Sequence, residues 1–192
     1  MSNDDETAIL IERLKESGLE LGEPIKKVVE IAASIQEVWG AISKAGNLTS
    51  YHPFCKANPV HKWPNVGSCD EVVYYSGLIY QRDFIKWLEG VGYDLEIGPN
   101  PPSKSAKVSW RLAEKEENLT ELSIAVTPYL KIGVPEAKRM AYLKNVFGDV
   151  IASYLESVVK GVDAFVTTGV DVEENQFGSH PMYSRAQPEQ CT

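Results

Sequence analysis

The chain has 192 residues, 43% of them hydrophobic and 24% charged, with a formal net charge of −8 at pH 7. That length suits one domain, large enough to enclose a cavity and still keep a core, while scattered lysines and arginines on an acidic chain offer no footprint for phosphates and exclude nucleic acid as an expected partner. No apolar run reaches the roughly 18 residues that a membrane-spanning helix needs, so no transmembrane segment is expected.

The first residues, MSNDDETAIL, carry acids where a secretory signal carries basic residues, which predicts a soluble, cytoplasmic protein. Cys55, Cys69 and Cys191 are an odd number without disulfide-framework spacing and are expected to be reduced. Asn47-Leu48-Thr49 and Asn118-Leu119-Thr120 match the glycosylation sequon and, with no leader expected, read as chance matches.

In chain order, residues 7–17 (TAILIERLKES) place Ile9, Leu10 and Leu14 near one helical face, predicting a short accessory helix ended by Gly18. KKVVEIAA, from Lys26, alternates as a first strand. Ser34 and Glu37 form a capping box opening a helix whose stripe is Val38, Trp39 and Ile42. A second helical turn, 47–52, is stopped by Pro53, because the residue before proline is pushed out of the helical region. Strands are then expected at 55–61, 69–75, 78–88, 91–98, 105–114 and 119–129. Ser76-Gly77 reads as a two-residue hairpin loop, and Glu89-Gly90, 98–102 and 115–118 carry turn residues. Short links imply an antiparallel meander. Pro135 opens a helix predicted to run unbroken to Gly169 on a stripe including Met140, Leu143, Phe147, Ile151 and Tyr154. It is too long for a helix lying on flat structure, so the sheet must wrap it. The tail from 170 to 192 has few apolar residues and no period, which predicts disorder or loose packing.

One strand, two short helices, six antiparallel strands and a long final helix follow the order of the helix-grip fold. The chain resembles the START-like superfamily (SRPBCC), specifically its polyketide cyclase/dehydrase and lipid-transport group. The likeness lies in "VVEIAASIQEVWGAI", "GNLTSYHP", "NVGSCDEVVY", "KVSWRL" and the final helix. It covers about Lys26 to Gly169. The resemblance implies an α+β fold in which a curved antiparallel sheet of about seven strands surrounds the C-terminal helix, with two short helices after the first strand. It also implies a division into an N-terminal extension (1–24), a START-like domain (25–169) and a tail (170–192). The group mixes carriers, sensors, cyclases and oxygenase domains, so the likeness bears on fold more than on activity.

The opening question for function is what His52, Cys55, His61 and Cys69 do. Their spacing, H-x2-C-x5-H-x7-C, lacks the paired units that aim two ligands at one ion, and no metal is expected. A Cys-His nucleophile would need a base and an orienting group to converge in space. No Gly-rich phosphate loop or Rossmann fingerprint occurs, so no cofactor is expected. In a helix-grip fold the second short helix borders the mouth of the cavity, which makes Tyr51, His52 and Phe54 candidates to line or gate it; His52 also reads as a cap on its own helix.

Strand parity supplies the wall. With Ser76-Gly77 as a two-residue loop, Glu71 lies opposite Arg82, and Val72, Tyr74, Ile79, Gln81, Asp83, Ile85 and Trp87 share the other, more apolar face, taken as the inner one. Asp70 then sits across from Asp83. A bulge or one-residue shift would instead turn Tyr80 and Arg82 inward. Trp110 on its strand, and Phe147, Ile151 and Tyr154 on the long helix, read as core by alternation. In a hollow fold, core and cavity wall are the same residues.

The leading expectation is binding or transport of a small hydrophobic or amphipathic ligand, lipid-like or polycyclic, in an internal cavity. One alternative is a cyclase/dehydratase-like enzyme using His52 or Asp83 as base. Another is a protein-interaction module.

Overall fold

The structure is a computed structural model that describes residues 3–99 and 101–186; Asn100, in a predicted turn, and Cys191 lie outside them. Alternating burial along the strands builds a curved, wholly antiparallel sheet whose concave face carries the core. The elements run α1 (Asn3–Glu16), β1 (Leu19–Leu21), β2 (Ile25–Ile31), α2 (Ile35–Ile42), α3 (Leu48–Tyr51), β3 (Cys55–Ala57), β4 (Val60–Lys62), β5 (Cys69–Tyr74), β6 (Ile79–Leu88), β7 (Gly92–Gly98), β8 (Ala106–Glu116) and β9 (Leu119–Lys131). They end with α4 (Glu136–Tyr142), a π-helical stretch (Leu143–Gly148) and α5 (Asp149–Thr168). The strand order is β1-β9-β8-β7-β6-β5-β3, with β2 also on β9 and β4 also on β5.

The expected capping box is present: Ser34 Oγ accepts from the Glu37 N–H at 3.3 Å, and Glu37 Oε2 accepts from the Ser34 N–H at 2.8 Å. The described residues form nine strands rather than about seven. The three-residue β1 is too short to show periodicity, and the predicted strand 55–61 divides around Asn58-Pro59 because proline has no N–H to give the ladder.

The final helix is one rod but not one α-helix. The backbone stays right-handed helical at Tyr142, Leu143, Gly148 and Asp149, yet Leu143–Gly148 is wound as π-helix. Gly148 permits this, since a Cβ there would stand 2.8 Å from the Leu143 carbonyl oxygen. Gly161 serves another close approach: a Cβ on it would lie 2.0 Å from the Tyr51 carbonyl oxygen, so α3 packs on α5 only because that side chain is missing. Gly161→Ala is therefore expected to destabilise the protein by about 2 kcal/mol or more despite alanine's better helix propensity. Urea denaturation checks this.

The β5–β6 hairpin departs from the expected register. Tyr74 N–H donates to Leu78 O at 2.8 Å and Gly77 has φ 89°, so the loop has three residues, with Gly77 in the left-handed position at its end. One extra loop residue slides the pairing by one: Asp70 faces Arg82, Glu71 faces Gln81, and Cys69 faces Asp83. A one-residue slip exchanges the two faces, so Tyr80, Arg82 and Phe84 point inward, while Ile79 and Ile85 are exposed. A bulge between Phe84 and Lys86 then returns Trp87 to the core side.

The convex side of the sheet is covered in part by α1, where Leu10 and Leu14 pack against Tyr129 and Arg13 makes two bonds, of 2.5 and 3.0 Å, to Glu96. The tail, expected to be disordered or loosely packed, folds back on the domain as far as it is described. Val172 N–H donates to Ser50 O, Asn175 N–H to Pro53 O, and Ser76 N–H to Tyr183 O; His180 and Tyr183 are buried.

Candidate functional site

Between the concave sheet and the final helix lies a cavity of about 220 Å³. Its walls are mostly apolar, with Val72, Leu95, Val108 and Ile124 from the sheet facing Phe147, Ile151 and Leu155 from the helix. Ser105, Tyr142 and Met182 line it while remaining exposed, and so mark its rim.

Three of the polar groups, His52, Tyr154 and Tyr74, form one hydrogen-bonded chain. His52 Nδ1 accepts the Phe54 N–H at 3.2 Å, so the ring proton belongs on Nε2, which donates to Tyr154 Oη at 2.8 Å. Burial, with the charge of Arg82 behind it, holds the imidazole neutral and lowers its pKa to about 3. Tyr154 and Tyr74 share one further bond at 3.1 Å. Burial raises both phenols above their ordinary range, keeping both protons in place. Two hydroxyl protons and one bond between the rings leave one O–H over. Neither hydroxyl has another partner among the described residues, so this O–H is available inside the cavity.

Arg82 also lines the cavity. Its Nε and Nη2 donate to Asp70 at 2.7 and 2.5 Å, and Asp70 accepts a third bond from Asn58 Nδ2 at 3.1 Å. The carboxylate is fully buried and cancels the guanidinium charge, leaving Nη1 without a partner among the described residues. The cavity is thus electrically balanced, and its free polar capacity is mainly that of a donor.

Of the residues expected at the site, the structure brings His52, Tyr74, Trp110, Phe147, Ile151 and Tyr154 to the cavity wall. Tyr51 is not at the mouth: it is fully buried against Trp110 and Phe165, with centroids at 6.1 and 6.4 Å, because α3 is pressed onto α5. Phe54 stands one layer back, stacked on Tyr154 at 5.9 Å. Gln81 and Asp83 are turned to the convex face by the register, where Asp83 takes bonds from Gln81 and Lys104. Trp87 stacks on Tyr93 at 5.7 Å, in the aromatic core and away from the cavity. Sequence reasoning missed Tyr183 and Met182, and gave Arg82 only as the alternative. One signal was available, because His52-Pro53-Phe54 is echoed by His180-Pro181-Met182, and in both the histidine Nδ1 accepts the N–H two residues on.

The two described cysteines, Cys55 and Cys69, contribute no nucleophile. Burial pushes the Cys55 thiol up to about 12 and Cys69 to about 11, and His52 has both nitrogens engaged. Among the described residues no group of three acidic, histidine or cysteine side chains is placed to hold a metal, and no helix is long and apolar enough to cross a membrane.

No family model and no curated protein matches the chain. Solved structures do. A START superfamily protein from Mycobacterium smegmatis is 16% identical, with 78% of this chain and 100% of that one covered and a TM-score of 0.59. Ara h 8.0201 is 14% identical over 79% of this chain and 99% of its own, with a TM-score of 0.59. A Thalictrum flavum norcoclaurine synthase point mutant, solved with a transition state analogue, is 13% identical over 79% and 97%, with a TM-score of 0.58. These likenesses agree in architecture with the sequence motifs: the fold is the START-like helix grip, a curved antiparallel sheet around a long C-terminal helix.

Proposed function

We propose that the protein binds a small, uncharged, mainly hydrophobic ligand, ring-bearing or lipid-like, that presents one oxygen acceptor to the cavity. The observation carrying this reading is the free phenol O–H of the Tyr154–Tyr74 pair in a chamber whose walls are mostly apolar. A carboxylate or ammonium would enter with no unbalanced partner, since Asp70 neutralises Arg82 and His52 is neutral, and an unpaired buried charge is costly. Binding is favoured over catalysis because the described lining offers a proton donor and no free base: Asp70 and His52 are both engaged. A soluble carrier or sensor of such a molecule fits these features.

Native mass spectrometry of the purified protein should reveal a neutral co-purifying compound, and the fluorescent probe 2-naphthol should bind. Because either phenol alone keeps an O–H for the ligand, the double variant Tyr74→Phe with Tyr154→Phe is needed to remove that hydrogen bond, worth about 1 kcal/mol, and should weaken 2-naphthol about fivefold. Absence of any bound compound, together with no binding of 2-naphthol or other neutral ring compounds, would defeat the reading.

A further inference from the structure

We infer that the tail is a specificity element of the cavity, in which Tyr183 and Met182 set the size of the ring system admitted; this rests on the ligand-binding reading above. The helix-grip pattern is complete at the end of α5, yet the chain continues and returns to the cavity wall. Tyr183 lines it, stacked on Tyr74 at 4.4 Å and 28° and in contact with Tyr154 at 4.7 Å. It therefore stands against both hydroxyl-bearing rings of the hydrogen-bonded pair. Met182 lies beside it on the rim.

The segment is held as a built part of the fold. His180 donates from Nε2 to Val150 O at 3.0 Å, accepts the Met182 N–H on Nδ1 at 3.2 Å, and stacks on Tyr183 at 4.7 Å and 18°. Ser184 accepts the His180 N–H at 2.7 Å and donates to Asn175 Oδ1 at 2.5 Å, closing the loop on itself. Tyr183 is thus fixed from both sides, by its own neighbours and by the β5–β6 hairpin through Ser76. The chamber that remains, about 220 Å³, is smaller than the roughly 300–1,000 Å³ common for drug-sized ligands. A wedge-like aromatic side chain from the tail accounts for part of that restriction.

Two neutral probes carrying the same single hydroxyl, 2-naphthol with two fused rings and 1-hydroxypyrene with four, read out size directly. The wild-type chain should prefer 2-naphthol. Tyr183→Ala should shift the ratio of the two dissociation constants at least tenfold toward 1-hydroxypyrene, whereas Tyr183→Phe, which keeps the ring, should leave it within about twofold. A purely structural role for Tyr183 would weaken both probes together and leave the ratio unmoved, and that result overturns the proposal. Circular dichroism establishes whether Tyr183→Ala folds. If it does not, Met182→Ala, at a partly exposed rim position, decides the matter: a severalfold shift toward the larger probe supports the proposal and an unchanged ratio overturns it. Preference of the wild type for 1-hydroxypyrene also overturns it, as does binding of neither probe; the ligand-binding reading itself falls only if, in addition, no compound co-purifies and no other neutral ring compound binds.

Discussion

Asp70→Asn should destabilise the protein by about 3–5 kcal/mol, although it changes the shape of the side chain very little. The guanidinium of Arg82 is buried on the concave side of the sheet with its charge balanced by Asp70 alone among its hydrogen-bond partners. Removing one member of a buried pair leaves an uncompensated charge, and such losses fall in that range. The total stability of a domain is about 5–15 kcal/mol, so the variant would lose a large part of it. The same principle predicts partial rescue. Replacing both groups by apolar ones, Asp70→Leu with Arg82→Met, should recover most of the loss because no charge is then buried. Urea denaturation of the single and double variants measures both effects. A cost below about 1 kcal/mol for Asp70→Asn would mean that cavity water hydrates Arg82, and the charge balance argued for the site would fail with it.

That pair also shows where the sequence stops being legible. Helix starts, strand alternation and the long final stripe are local signals, and Ser34, Glu37 and the strands around Trp110 and Ile124 followed them. The inner face of β6 depends on whether the Gly77 loop holds two residues or three. Both loop lengths accept glycine at a positive φ, and on apolar count alone the face with Ile79 and Ile85 looked like the inside. The fold instead buries Asp70 opposite Arg82, a pairing that only the three-dimensional register makes favourable. Some cavity residues could be named in advance because core alternation and wall alternation coincide, as at Tyr74, Phe147, Ile151 and Tyr154. Tyr51 fails that logic, since the closeness of α3 to α5 turns on Gly161, whose role is a missing atom. The tail was illegible for a different reason: His180 and Tyr183 dock by stacking and by single bonds to backbone groups, interactions with no sequence period.

Acidification should weaken the fold well before the carboxylates protonate, and His52 is the largest identified source. Its pKa is about 3 in the folded protein, lowered by burial and by the Arg82 charge, against an ordinary value of 6.5. Between those values the unfolded chain binds the extra proton, so the stability conferred by a neutral His52 is complete above pH 6.5 and is lost progressively as pH falls toward 3. At about 1.4 kcal/mol per pH interval, the loss is about 2–3 kcal/mol by pH 4.5 and about 5 kcal/mol by pH 3. His180, also lowered by burial, acts in the same direction. The physical reason is specific: a proton on His52 Nδ1 would displace the Phe54 N–H that it accepts and place a cation beside Arg82. Histidine dominates the window from pH 6.5 to 4.5, because carboxylates with depressed pKa values, such as Asp83 and Asp94, lose their contribution mainly at lower pH, and Asp163, raised by burial, acts in the opposite sense. Chemical denaturation across that window should show the wild type losing stability and His52→Gln losing much less, with His180→Gln removing the remainder. A wild-type stability that is flat from pH 6.5 to 4.5, or an equal slope in His52→Gln, would show that His52 is not the buried neutral donor on which the Tyr154–Tyr74 site depends.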